Sequence, residues 1–350
     1  MRTFVGIPLT VAAVILATAT GTAQAPTPSS DPLAIARILA AKYPAQPIMS
    51  YIPALSWSSS LRLSEMTGEP RWREKAEKDM QPFIADRALA KAEPRRLTSL
   101  AGAFAFHDAW RLTRNSGAQA VAMEVAALML PQSPDQVVQY ATGWTDDMFM
   151  ASAVLSRAGT VDMVATVGKL LTTYAGKLQR PDGIFIHAVD GPHAWGRGNG
   201  FALLGLTEAL TYLPQSWSDR ARVLEIYRKH VSALVKFQSD DGSWRQVVDE
   251  PTSYRELTVT AMTTAAMARG VRLGWIDQAT YLPMINRGWS AVAARVNADG
   301  TVRDVCSGTG AQATKDYYMN RPAVNGADDR GGAMALLAAI EVQLMRNSFH

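Results

Sequence analysis

One pattern recurs along this chain: a short lead-in marked by an aromatic, polar or glycine residue, then an Ala-, Gly- and Leu-rich stretch, then a more charged one. Within the stretches apolar residues fall at helical spacing, and period-two alternation is nearly absent. Tyr51-Ile52-Pro53 leads to Ala54–Thr67 and then Trp72–Asp86; Thr98-Ser99 leads to Leu100–Thr113 and Ala118–Met129. Gly143-Trp144-Thr145 leads to Asp146–Ala158 and Val161–Tyr174, and the glycine-rich run 197–200 leads to Phe201–Tyr212 and Trp217–Phe237. Tyr254-Arg255 leads to Glu256–Val271 and Gln278–Val296, and Asp329-Arg330 leads to Gly331–Met345. An apolar helix followed by a solvated one is what inner and outer positions require. With a further outer helix from Asp31 to Leu39, the arithmetic is that of an all-α fold, an (α/α)6 barrel of six inner and six outer helices. An open solenoid would need regular connections, whereas Arg180–Gly196 and Asn297–Asp328 are long and irregular. Residues 33–350 are therefore expected to form a single domain, with function on the loops at one end of the barrel.

Composition narrows the chemistry. The hydrophobic share is 48%, as in ordinary globular proteins, and a net charge of +4 comes from lysine and arginine interspersed with acidic residues. Without a basic run interleaved with aromatics, nucleic acid is not an expected partner. The single cysteine, Cys306, rules out an intramolecular disulfide and a Cys-based zinc site, and reads as a small buried hydrophobe. The histidines are dispersed, no Glu-x-x-His spacing occurs, and there is no nucleophile elbow or phosphate loop, so no metal or cofactor is expected.

At the N-terminus, Arg2, the apolar run Val5–Ala17 and small residues through Ala25 read as a secretory signal peptide, residues 1–25. The apolar run is too short to span a bilayer comfortably. Residues 26–32 read as a linker. The expectation is a processed protein, periplasmic or extracellular and free of the membrane, as a monomer or a homo-oligomer.

Three junctions carry candidate chemistry. In Trp144-Thr145-Asp146-Asp147, one carboxylate suffices to cap a helix, and the adjacent one points elsewhere. Trp144 offers an apolar wall of the kind that raises a carboxyl pKa for general-acid work. The second junction joins Asp182–His187 to Trp195-Gly196-Arg197-Gly198-Asn199-Gly200-Phe201, where glycines permit close ligand approach and Arg197 offers a fork for a carboxylate. The alternative is a structural turn capping the fourth inner helix. The third joins Asp241-Gly242-Ser243-Trp244 to Tyr254-Arg255-Glu256, where Trp244 is either a sugar-stacking platform or core.

At these junctions the sequence resembles the clan of unsaturated glucuronyl and rhamnogalacturonyl hydrolases. The resemblance runs through Trp144-x-Asp146-Asp147-Met148-Phe149-Met150, the run 195–201, Gly242–Asp249, Glu256-x-x-x-Thr260-Ala261-Met262 to Val271, Gly308-Thr309-Gly310, Tyr317-Tyr318 and Arg321-Pro322. It spans about residue 50 to the end. It implies an (α/α)6 barrel acting on anionic oligosaccharides that end in a 4,5-unsaturated uronic acid. By the same resemblance Asp146 protonates the ring double bond and directs water to its far carbon, after which the hemiketal opens. Substrate contacts are then expected from His187, Arg197, Asn199 and Phe201. Trp144, Asp147, Trp244 and Tyr51 complete the expected set.

The chain departs from the clan in places. Where the second inner helix commonly starts with an Asp, this chain has Thr98-Ser99, with Asp108 farther into the helix; Phe201 replaces a usual Trp. Alternatives are therefore a polysaccharide lyase or sugar epimerase on the same barrel, with Tyr254 or His187 as base, or a non-catalytic glycan-binding barrel.

Overall fold

The computed structural model describes Met1 and residues 30–86 and 95–349; the expected signal segment and the linker up to residue 29 lie outside that range. The inner helices are α2 (Tyr51–Thr67), α4 (Leu97–Leu100) continuing through a 3-10 turn into α5 (Phe104–Thr113), α7 (Thr145–Ala158), α9 (Gly196–Tyr212), α11 (Leu257–Arg272) and α14 (Asp329–Asn347). The outer helices are α1 (Pro32–Lys42), α3 (Pro70–Asp86), α6 (Ser116–Leu128), α8 (Val161–Leu178), α10 (Arg220–Val235) and α12 (Gln278–Ala293). Each inner helix packs on the next in chain order, and α14 packs back on α2, so the ring is the closed (α/α)6 barrel expected.

The ends of these helices follow from sequence. Ser50, Glu256 and Asp328 accept backbone N–H groups at the starts of α2, α11 and α14, while Gly68 and Gly159 end α2 and α7 in the left-handed region. Close packing inside the ring depends on small residues. A Cβ on Gly205 of α9 would lie 2.3 Å from the Met148 carbonyl oxygen of α7.

Two expectations change. The run Arg197 to Gly200 lies inside α9, in its first turns, because the helix begins at Gly196. Its glycines serve packing: a Cβ on Gly198 would come within 2.7 Å of Thr145 Oγ1, one on Gly200 within 2.7 Å of the Met262 sulfur. The long connections also carry short elements, the pair β1 (Trp244–Arg245) with β2 (Arg255–Glu256), the pair β3 (Val302–Cys306) with β4 (Ala323–Gly326), and α13 (Lys315–Met319).

The lower part of the barrel is closed by charge. Arg62, Asp108, Arg157, Glu208, Arg269 and Glu341 come one from each inner helix, in alternating sign, each a little over three turns below its helix start. Arg157 binds Asp108 at 3.0 Å and also pairs with Glu208; Arg269 binds Glu208 at 2.6 Å and Glu341 at 2.5 Å; Arg62 binds Glu341 at 2.5 Å. Ser58, which donates to Asp108 at 2.5 Å, and Tyr212, which takes hydrogen bonds from Arg62 and Arg157, fill the remaining gaps. Burial alone would raise the Asp108 and Glu208 carboxyls, but the neighbouring arginines hold both below the ordinary range, and Glu341 falls to about 2. Asp108 is thereby committed to the floor and is no substitute for a second carboxylate at the mouth. The void above this ring measures about 10 Å³, room for no more than one water.

Candidate active site

All inner helices begin at one end, and their second residues form a series: Ile52, Thr98, Asp146, Arg197, Thr258 and Arg330. Three of these, on α7, α9 and α14, supply the charged groups of the mouth. Asp146 Oδ2 is buried and lies 3.3 Å from Nε2 of His187, with no aligned hydrogen bond between them. The Asp146 side chain as a whole is 17% exposed although Oδ2 is buried, which leaves Oδ1 as its polar atom toward the opening. His187 is fully buried, flanked by the rings of Trp144 (5.1 Å) and Trp195 (4.6 Å). Its Nδ1 lies 3.0 Å from the Tyr318 hydroxyl, which accepts a hydrogen bond from the Gln312 N–H. The Tyr318 proton is then donated to Nδ1, which puts the imidazole N–H on Nε2, toward Asp146.

Opposite this pair lies an arginine cradle. Three consecutive carbonyls, of Cys306, Ser307 and Gly308, accept from three different arginines: Arg197 Nη1 at 2.9 Å, Arg330 Nη1, and Arg321 Nε at 2.6 Å. Arg197 also donates to Thr258 and lies over the Trp195 ring; a Cβ on Gly308 would stand 2.9 Å from Arg330 Nη1 and 3.7 Å from Arg197 Nη2. Asp328 is the only carboxylate that pairs with any of the three among the described residues, at 3.6 Å from Arg330. Tyr51 connects the two halves. Burial, opposed by Arg197 and reinforced by Asp146, pushes its hydroxyl to about 12. The loop returns to the acid at Gly310, where a Cβ would stand 3.7 Å from the Trp144 ring.

Asp146, His187, Arg197, Trp144 and Tyr51 are thus brought together. Four other expected substrate contacts are corrected. Asp147 turns away from the mouth and accepts from the Thr142 and Gly143 backbones, the Thr142 hydroxyl and Tyr174. Its burial outweighs these bonds and lifts the carboxyl to about 6. Asn199 is spent inside the protein, bonded to Phe185, Trp195 and His230. Phe201 is buried, stacked on Phe149 and edge-on to Tyr51. Trp244 is core, its indole N–H donated to the Leu234 carbonyl at 2.8 Å.

Tyr254, the base considered for a lyase, has its hydroxyl pushed far above the ordinary value by burial and by Cys306 and Glu256, the opposite of what a base needs. The sequence reading missed Arg321, Arg330 and Tyr318 as site residues. The available signal was positional: Arg330 sits at the same second helical position as Asp146 and Arg197.

Comparison with known proteins agrees with this fold. Over 175 residues the chain is 27% identical to an unsaturated 3S-rhamnoglycuronyl hydrolase of Alteromonas, covering 45% of this chain and 42% of that protein. It is 26% identical over 191 residues to the unsaturated rhamnogalacturonyl hydrolase YesR of Bacillus subtilis, covering 51% and 54%. The match therefore spans about half the length of these curated relatives. In fold, it resembles the crystal structure of a possible GH105 family member from Klebsiella pneumoniae, with a TM-score of 0.80 at 17% identity over 97% of this chain and 99% of that one. The model of glycosyl hydrolase family 88 matches residues 36–346, and the chain belongs to that family.

Proposed function

We propose that this protein hydrolyses oligosaccharides whose terminal unit is a 4,5-unsaturated uronic acid. The observation that carries the reading is the Asp146–His187 pair set across one mouth from three arginines, of which only Arg330 pairs with a carboxylate among the described residues. A vinyl ether bearing a carboxylate asks for both halves: cations for the carboxylate and a proton donor for the double bond.

In this reading Arg330 and Arg321, with Arg197 behind them, hold the carboxylate. The proton passes from Asp146 to C4, and the cation that develops at C5 and the ring oxygen is captured by water. The water's proton returns to the Asp146 carboxylate. The resulting hemiketal opens to a ketone, and the hemiacetal left at C1 releases the rest of the chain. The Nε2–H of His187 stabilises the carboxylate that remains after proton delivery. No sugar nucleophile is involved, which sets the reaction apart from paired-carboxylate glycosidases.

The test is spectroscopic. Lyase-generated oligosaccharides should lose their ultraviolet vinyl-ether absorbance on incubation with the protein. Rising absorbance on intact polymer would replace this reading by a lyase, and binding without spectral change by a glycan-binding barrel. We also propose export through the signal-like residues 1–25, supported by their composition alone. N-terminal sequencing of the exported protein should begin near residue 24 to 26; a retained Met1 would refute it.

A further inference from the structure

A hollow of about 740 Å³ lies outside the inner ring, beside the loop that leads into α7 and its acid. One wall is the segment from Gln136 to Gly143, which runs into Trp144 and on to Asp146; the other includes Val189 and Asp190, separated from His187 by Ala188 alone. The two segments are stitched together at the Thr145 N–H, which donates to the His187 carbonyl at 2.9 Å. The same two strands of chain therefore carry the reactive pair at one end and the hollow at the other.

Asp147 explains why this hollow keeps its shape. Three of the lining residues, Thr142, Gly143 and Tyr174, hang from its carboxylate at 2.7 to 2.9 Å. Adjacent carboxylates thus serve two compartments: Asp146 faces the mouth, and Asp147 builds the wall beside it. The lining has the mixture that sugar rings require. Tyr140, held at φ +64°, and Val189, 68% exposed, offer apolar surface. Lys177 and Asp190, both exposed and in no ion pair among the described residues, offer polar groups for hydroxyls. A non-glycine residue in the left-handed region is a strained placement of the sort that gathers at ligand sites.

We propose that this hollow is a subsite for the third and later sugar units of the substrate, so that substrate length is read beside the loop that carries the acid. The proposal rests on the hydrolase reading for the substrate's identity, and it is tested in a way that separates the two. The probes are unsaturated rhamnogalacturonan di- and tetrasaccharides, with a saturated tetrasaccharide for binding alone. The double variant Lys177→Ala/Asp190→Ala, both positions being exposed, should lower kcat/KM for the unsaturated tetrasaccharide about tenfold through KM. Disaccharide turnover should stay at the wild-type level. Val189→Trp, which fills the hollow, should reproduce the length-selective loss.

Equal losses on both lengths, or none on the tetrasaccharide, would overturn the subsite. If the wild type turns over no unsaturated substrate, the hydrolase reading fails instead. The subsite is then judged by titration with the saturated tetrasaccharide, whose binding must weaken in both variants for the proposal to stand.

Discussion

Asp146 Oδ2 and His187 Nε2 face each other at 3.3 Å, both buried, at the junction where α7 begins. Asp146→Asn keeps the shape of this pair and loses the transferable proton. Turnover should fall by about a hundred- to ten-thousand-fold while oligosaccharide binding survives. Single-turnover absorbance decay, read beside a calorimetric titration, separates the two effects. If Asp146→Asn retained full activity, the acid would lie elsewhere.

Asp147→Asn should act on stability rather than chemistry. An amide in place of this carboxylate leaves backbone or hydroxyl donors of Thr142, Gly143 or Tyr174 poorly matched, a loss of about 1–3 kcal/mol. Urea unfolding should show it, with a smaller fall in rate than Asp146→Asn. A dead but fully stable Asp147→Asn would exchange the roles assigned to the two residues.

The arginine cradle calls for a different choice of variant than sequence would suggest. Arg197 is 2% exposed and holds the Cys306 carbonyl, so Arg197→Ala mixes lost binding with local damage. Arg330 also holds a carbonyl, that of Ser307, but with 26% of its side chain exposed it is the less disruptive probe. Arg330→Ala should raise KM about ten- to a hundredfold, the loss expected for a charge-assisted hydrogen bond, with a smaller change in kcat. Unchanged KM would remove this arginine from carboxylate recognition.

Tyr318 acts through His187. Tyr318→Phe removes the proton donated to Nδ1 and frees the imidazole to take either tautomer. The expected result is a roughly tenfold lower kcat, of the size of one lost hydrogen bond in the transition state, with KM nearly constant. Nitrogen-resolved NMR of the histidine rings should report the tautomer change directly. A fall in kcat with the tautomer unmoved would assign Tyr318 a packing role only.

The charge ring makes a pH-dependent prediction. Glu341 has a folded pKa of about 2 against an unfolded value of about 4.3, so its stabilisation is complete above the unfolded value. That contribution is lost as pH falls from about 4.3 toward about 2. At neutral pH Glu341→Gln leaves Arg269 and Arg62 under-compensated in a buried site, at about 3–5 kcal/mol. Urea unfolding across this pH range should show the gap between wild type and Glu341→Gln closing on the acid side. A gap independent of pH would show that packing, not charge, accounts for the loss.

The helix count and the alternation of inner with outer helices were legible because burial on one or all sides leaves a direct mark on composition, as in the Ala-rich α11 against the charged α3. Asp146 and His187 were legible through the motifs around them. Asn199, Phe201 and Trp244 were misassigned because a motif marks that a residue matters without saying which neighbour it meets. Asn199 is held by His230, thirty-one positions away, and Trp244 by a carbonyl on α10. The ring of six charges was invisible for the same reason: each member stands alone in its helix, and only the closure of the barrel brings them together.

That ring stoppers the barrel. A tube sealed at one end by six interlocked charges has a single door, and whatever enters must leave the way it came. No polymer can be threaded through it, and the interior of a long chain has no route to the acid. Only a free tip can reach the bottom of such a cul-de-sac.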